Sequence, residues 1–473
     1  MSIPEHIPVE ITQSITIDQA WHYHIVPITV SESTLEFITA KEYAEGIQDE
    51  LKMLFGKEIV LRLVEKDKIN TLISSYYRKG KQHTSGLTIG KHDDFLMNLI
   101  QEAYRIECSD IHIEAFEERC RVRMRIDGKL IERFVIPKET YPSLINKIKI
   151  KANLDIAEKR LPQDGRIFYS DEWSNFDIRV SVLPALHGEK IVLRLLSRDT
   201  TQIDIEKLGF TKDQLKTYNN SIAKPHGIIL ISGPTGSGKT TTLYATLKIL
   251  NKEESNVLTI EDPIEYTLEG INQVQLKEEI GLTFASALRT FLRQDPDIIM
   301  LGEIRDAETA QMAIRAALTG HLVLSTIHTN SAIGTISRLQ DMGIPVYLLA
   351  STLNLSVAQR LVRKLCPDCK LEKPLKDIDI PVIDKSFTLP KSYFEAVGCN
   401  NCYFTGYKGR RAIYEMVEIN DDIRDCMRKH EVETIRTKYS FKTLANTAFE
   451  MFVNGETTID EIYPLLADIQ GSY

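Results

Sequence analysis

Residues Gly233 to Thr240 read GPTGSGKT and satisfy the pattern GxxxxGK[ST] at every position. Glycines at 233, 236 and 238 let the backbone curl until its amides converge on phosphate oxygens. Pro234, Thr235, Ser237 and Thr241 complete the stretch that would line the phosphates. Lys239 can reach a β- and a γ-phosphate, and the Thr240 hydroxyl can ligate magnesium. The chemistry on offer is the binding of a nucleoside triphosphate. Hydrolysis needs acids near the terminal phosphate as well. Two candidates stand where apolar runs end: Glu261, beside Asp262 in TIEDPIEY, and Glu303 in DPDIIMLGEIRD. One carboxylate can hold magnesium directly or through a bound water, a task that falls to Glu303, and one can orient or deprotonate the attacking water. His328, ending LVLSTIH, either senses the γ-phosphate or satisfies a buried hydrogen bond.

A second constellation is built of sulfur. Cys366 and Cys369 form CPDC and Cys399 and Cys402 form CNNC, with 29 residues between the pairs. Each CxxC presents two thiolates from one tight turn, and two turns complete a tetrahedral shell for zinc with no open position. The expected metal is structural. Cys108, Cys120 and Cys426 are scattered and read as small core residues.

These groups must be positioned, and the surrounding pattern shows how. Four short apolar runs end in polar residues: GIILISG (227–233), VLTIED (257–262), DIIMLGE (297–303) and HLVLSTIH (321–328). Runs with little alternation predict strands buried on both faces, hence a parallel sheet with helices outside it. Ligands of such sheets sit beyond the carboxyl ends of the strands, where the polar residues fall. Upstream the grammar changes. In CRVRMRI, Val122, Met124 and Ile126 alternate with Arg121, Arg123 and Arg125, and Asp127-Gly128 predicts a tight hairpin. The arginine side is either a solvated strand face or a nucleic-acid face. Earlier still, runs at 25–30, 34–40 and 58–64 read as strands around a helix near 43–55.

The chain has 473 residues, 43% hydrophobic and 26% charged, which excludes a disordered or fibrous chain. Lys plus Arg total 58 against 66 Asp plus Glu, a formal net charge of −8 that argues against a basic nucleic-acid coat. The opening MSIPEHIPVE has neither the basic start nor the apolar stretch of a signal peptide. Seven cysteines, four of them in CxxC pairs, suit a reduced cytoplasmic compartment. The charge-free stretch from Met342 to Gln359 is too polar for a membrane span and reads as a buried helix. The domains expected are a small α+β module (1–85), a linker at 78–86, an α+β domain (86–200) and an α/β domain (205–473) with a cysteine insertion at 366–402.

GPTGSGKTT, TIEDPIEY, QDPDIIMLGEIRD and TGHLVLSTIHTN, in this order, resemble the Walker A motif, Asp box, Walker B motif and His box of the type II/type IV secretion ATPases. These are the motors of type II secretion and type IV pilus assembly. The resemblance extends through SDIHIEA, RLPQDGRI and RVSVLPALHGEKIVLRLL upstream, and RLVRKLCPDC, GCNNC and GYKGRRAIYE downstream. It implies a PAS-like domain at 86–200 joined to a RecA-like domain that binds ATP with magnesium. It further implies a homo-hexameric ring at the cytoplasmic face of the inner membrane. The ring would push on platform and docking proteins and reach the membrane only through them. Arg166, Arg179 and Arg194 match the family's phosphate-reaching arginines. The short N-terminal module, resembling the second half of a longer family region, would dock partners. It lacks the signalling module's Arg-Leu-Gly type of motif, so cyclic di-GMP is not expected. The cysteine insertion separates this chain from the pilus-retraction motors that the family also resembles. A RecA-like nucleic-acid translocase is the alternative reading; no basic stretch interleaved with aromatics supports it.

Overall fold

The computed structural model describes residues 7–12, 14–31, 33–77, 95–170, 175–196, 204–375, 387–403, 405–429, 431–439 and 441–470. By mutual contact the chain falls into two units. The first is Met1–Arg198 with Cys366–Leu371 and Ala396–Lys408; the second is Asp199–Leu365 with Glu372–Glu395 and Gly409–Tyr473. The linker expected at 78–86 lies outside the described residues. The cysteine segments thus group with the first unit, although the reading from sequence had placed 366–402 inside the α/β domain.

The first unit opens with β1 (Val26–Val30), β2 (Thr34–Ala40) and β3 (Glu58–Val64), the first pair antiparallel and the second parallel. Helix Ile47–Phe55 is bounded by Gly46 and Gly56, both in the left-handed region that glycine adopts without strain. The six-stranded sheet is antiparallel throughout. It comprises β4 (Asp110–Ala115), β5 (Cys120–Ile126), β6 (Lys129–Ile136), β7 (Gln163–Ser170), β8 (Asn175–Ala185) and β9 (Gly188–Leu196), in spatial order β6-β5-β4-β9-β8-β7. Asp127 (φ 47°) and Gly128 (φ 85°) make the expected two-residue turn between β5 and β6. One face is apolar. Ile111, Ile113, Val122, Met124, Ile178, Val180 and Leu193 are buried there with Leu96, Leu99 and Ile100 of helix Phe95–Arg105. Cys108 and Cys120 join that core as expected.

The second unit is built on seven strands: β10 (Gly227–Ser232), β11 (Val257–Glu261), β12 (Asn272–Gln275), β13 (Ile298–Leu301), β14 (Leu322–Ile327), β15 (Leu353–Leu365) and, after the small pair β16 (Leu371–Pro374) and β17 (Ser392–Glu395), β18 (Tyr407–Glu418). Their order is β12-β11-β13-β14-β10-β15-β18, and every pair from β12 to β15 is parallel. Both faces are buried, which is why the runs do not alternate in polarity. Ile229 and Ile231 of β10 face one core with Leu243 and Leu247, whereas Ile228 and Leu230 face another with Ala313 and Ile314. Cys426 lies in that second core.

One expectation is corrected. The stretch Met342–Gln359 is only partly helical: helix Val346–Thr352 gives way to β15 at Leu353. The Asn354 side-chain amide donates to the His226 carbonyl at 2.8 Å and fixes the new strand beside β10. An apolar run alone does not tell a buried helix from a buried strand. No helix among the described residues is long and apolar enough to cross a membrane.

Candidate active site

The phosphate loop leaves β10 and ends at Gly238, where helix Lys239–Leu250 begins. Gly233, Gly236 and Gly238 all have positive φ, at 149°, 80° and 86°. Two of them are also constrained from outside. A Cβ at Gly233 would stand 2.5 Å from the Gln359 carbonyl oxygen, and one at Gly238 would stand 2.9 Å from Gln359 Nε2. That glutamine, on β15, grips the loop: its Nε2 donates to the Ser237 carbonyl (2.9 Å) and its Oε1 accepts from Thr242 Oγ1 (2.9 Å). Its only trace in the sequence is an uncharged polar side chain closing an apolar run. Pro234, Thr235, Gly236, Thr240 and Thr241 remain exposed. Ser237 Oγ is buried without a hydrogen-bond partner, a donor that fits a phosphate-binding loop. Lys239 is nearly buried, and its Nζ donates to the carbonyls of Gly233 (2.7 Å) and Pro234 (3.1 Å). Burial lowers its pKa, while the charge of Glu303 acts in the opposite direction.

Because β14 lies between β10 and β13, His328 at its end falls between the phosphate loop and the residues after β13. Gly302 and Glu303 follow β13, and His328 Nε2 lies 3.1 Å from Glu303 Oε2. His328 is half exposed, so it does not serve as a closed core hydrogen bond. Arg305, which the sequence reading did not single out, pairs with Glu303 and lies 4.0 Å from Asp262. The motif GEIRD carried that signal, a base two residues after the acid.

Glu261 is different. It is 3% exposed and enclosed by donors: Tyr244 Oη to its Oε2, and Thr259 Oγ1 (2.6 Å) and Gln273 Nε2 (3.0 Å) to its Oε1. The structure therefore brings Lys239, Glu303 and His328 to one end of the sheet and leaves Glu261 in a closed network beside them.

The three arginines form a row in the first unit. Arg166 on β7 stands opposite Arg179 on β8, Arg179 opposite Arg194 on β9, and Arg194 opposite Asp110 on β4. Like charges directly opposite one another repel, and at one end of the row Arg194 Nε donates to Asp110 at 2.8 Å. Burial would raise the Asp110 pKa, but hydrogen bonds from Arg194 and Ser109 outweigh it and the net shift is downward. Three guanidinium groups on adjacent strands, exposed at Arg166 and Arg194 and partly buried at Arg179, suit a polyanion. The neighbouring ladder does not. Arg121 pairs with Glu114 and Glu132, Arg123 with Glu114, and Arg125 lies 3.4 Å from Asp110, so of the two readings the solvated, ion-paired strand face holds.

The sulfur atoms of Cys366, Cys369, Cys399 and Cys402 all lie within 4.8 Å of one another. Cys366–Cys399 and Cys369–Cys402 are 3.7 Å apart and Cys399–Cys402 3.8 Å. A tetrahedron with Zn–S bonds of about 2.3 Å has edges of about 3.8 Å, so the set fits a zinc ion. Backbone amides of Gly398 and Cys399 donate to Cys369 Sγ (3.3 Å) and Cys402 Sγ (3.1 Å), as thiolates require. Tyr403, next along the chain, packs on the core of the six-stranded sheet.

Residues 88–464 match the family described as type II/IV secretion system protein, and residues 4–83 match the MshEN domain. The chain is 40% identical over 492 residues to type II secretion system protein E of Xanthomonas campestris pv. campestris, covering 98% of this chain and 86% of that one. It is 46% identical over 378 residues to the type IV pilus assembly ATPase PilB of Myxococcus xanthus, covering 78% and 66% respectively. Among solved structures, the Legionella pneumophila ATPase DotB shares the fold at a TM-score of 0.61 and 21% identity, over 80% of this chain and 97% of that one. The pilus retraction motor PilT with bound ADP gives a TM-score of 0.52 at 27% identity, over 77% and 95%. With the phosphate loop, the acids and the cysteine cluster set in a P-loop α/β fold, and with most of its length matched, the chain belongs to the type II/IV secretion system protein family and is an ATPase.

Proposed function

We propose that this ATPase works as a ring of six identical subunits that powers assembly of a type II secretion pseudopilus or a type IV pilus at the cytoplasmic face of the inner membrane. The observation that carries this reading is the meeting of Lys239, Glu303 and His328 at one end of a parallel sheet, in a chain whose relatives are named for those two machines. ATP phosphates lie on the amides of residues 233–241, with Lys239 exchanging its carbonyl partners for phosphate oxygens. Thr240 and Glu303, the latter directly or through a water, would hold magnesium, which supplies charge neutralisation on the β- and γ-phosphates. Glu303 orients the attacking water and takes its proton, and His328 Nε2, 3.1 Å away, holds that carboxylate in place. Arg166, Arg179 and Arg194 meet the γ-phosphoryl charge from a neighbouring subunit. Cys366, Cys369, Cys399 and Cys402 hold a structural zinc. Residues 1–85 dock the ring on its inner-membrane platform, and hydrolysis changes the angle between the two domains to push on it.

The test is phosphate release with a trapped intermediate. Glu303→Gln should bind ATP with magnesium yet turn over more slowly by about a hundredfold or more. Sedimentation should find rings of six, and added single-stranded nucleic acid should leave the rate unchanged. Normal turnover in that variant removes Glu303 from the chemistry, and stimulation by nucleic acid favours a translocase.

A further inference from the structure

Tyr244 lies on the helix that begins at Lys239 and is fully buried. Its hydroxyl donates to Glu261 Oε2 and accepts from the backbone amide of Glu265 at 3.3 Å, and its ring meets Tyr266 edge-on at 4.4 Å. Glu261 Oε1 accepts from Thr259 and Gln273, and Gln273 in turn donates to the Tyr266 carbonyl (3.2 Å) and accepts from the Leu268 amide (2.7 Å). One carboxylate thus ties together the Walker A helix, the end of β11, the loop that follows it and the edge strand β12.

A general base must offer a lone pair to water. Glu261 already accepts three hydrogen bonds of the about four that its oxygens can take, and the side chain is closed from solvent, so no water reaches it. Tyr244 is equally committed. Burial and the adjacent Glu261 charge push its phenol well above the ordinary range, so it stays a neutral donor at any working pH. We propose that Tyr244 is a positioning residue for ATP hydrolysis: through its hydrogen bond to Glu261 it fixes the helix carrying Lys239 and Thr240 against the Asp-box loop, and Glu261 is the buried carboxyl partner of that latch rather than the base that takes the proton of water. The latch rests on the ATPase activity; only its last clause leans on Glu303 as the base, and the Glu303→Gln measurement tests that separately.

The experiment is a double-mutant cycle with a pH profile. Tyr244→Phe deletes one hydroxyl, and Glu261→Gln sets an amide against the donors of Gln273 and Thr259. Each should lower kcat on the order of tenfold while ATP binding changes by less than about twofold, as expected when one networked hydrogen bond is lost. The double variant should be no slower than either single one, because both break the same contact. The acidic limb of the kcat profile should coincide in Tyr244→Phe and the parent protein. Additive losses, a parental rate in Tyr244→Phe, or an acidic limb displaced to higher pH would each overturn the proposal, the last by making Glu261 the titrating base. Should Tyr244→Phe fail to bind ATP, Glu261→Asp probes the same contact by shortening its reach; a parental rate there overturns the latch as well.

Discussion

The two large sheets place their chemistry in different ways. In the parallel sheet both faces are spent on cores, so reactive groups can emerge only where strands end: Lys239 beyond β10, Glu303 beyond β13, His328 beyond β14. In the antiparallel sheet one face is apolar and the other polar, and on the polar face arginines stand side by side across strands, one from each of β7, β8 and β9. Strand-end groups come as short contiguous motifs, while a cross-strand row is assembled only by register. The first kind is written in one stretch of sequence; the second is scattered over 29 positions from Arg166 to Arg194 and has no local signature.

The comparison can be broken at several points. The largest effect is expected from the row. Arg179→Ala should lower turnover on the order of a thousandfold or more, as for arginines that complete phosphoryl-transfer sites. If, as proposed, the arginine acts from a neighbouring subunit, mixing Arg179→Ala with Lys239→Ala should restore part of the activity. No recovery in verified mixed rings would place Arg179 within its own subunit or outside the chemistry.

At the strand end, Lys239→Ala should cost turnover about a hundred- to a thousandfold with the fold retained. Unchanged phosphate release would remove the loop from the mechanism. A smaller effect on catalysis is expected at the cysteines. Cys399→Ser should release zinc, detected by elemental analysis, and expose residues 366–402 to proteolysis while sparing ATP binding. Structural zinc sites of this kind contribute roughly 10–16 kcal/mol at neutral pH, so native protein without zinc would sink the assignment.

The smallest effect distinguishes the two arginine arrays. Burial alone would raise the Glu114 carboxyl, but hydrogen bonds from Arg123, Lys190 and Arg121 hold it at about 2. Its folded pKa is depressed, so its contribution to stability is complete above the ordinary glutamate pKa of about 4.3 and fades as pH falls towards 2. Melting curves of the parent and Glu114→Gln should differ by a few degrees at pH 6, and the difference should shrink steadily below about pH 4 and vanish only below about pH 2. A constant difference would mean that the ladder is not acting through this charge.

How much was legible follows the same division. Spacing marks the phosphate loop, the two acids, the histidine and the four cysteines as candidates, and residue type gives the two-residue turn at Asp127-Gly128. Resemblance, not spacing, pointed to the arginine row. Which of Glu261 and Glu303 is the base is left open by the sequence, because both end apolar runs; packing encloses one among Tyr244, Thr259 and Gln273 and sets the other against His328 and Arg305. Tyr244 and Gln359 were missed for a related reason. One is a single aromatic in a helix-forming run and the other one of two amides in a strand, and their partners lie 17 and 122 residues away. The first half of β15, up to Gln359, reads as helix from sequence because continuous burial erases the period that separates the two.

The grip of Gln359 on the phosphate loop has a consequence for descent. Side chains at 233 and 238 are excluded by β15 as well as by phosphate, so two independent pressures act on those glycines. A lineage that abandoned hydrolysis would still be selected to keep them, for the sake of packing. Thr240, exposed and gripped by nothing in β15, has no such second anchor. In a degenerate copy of this gene, drift would surface at 240 long before the glycines gave way.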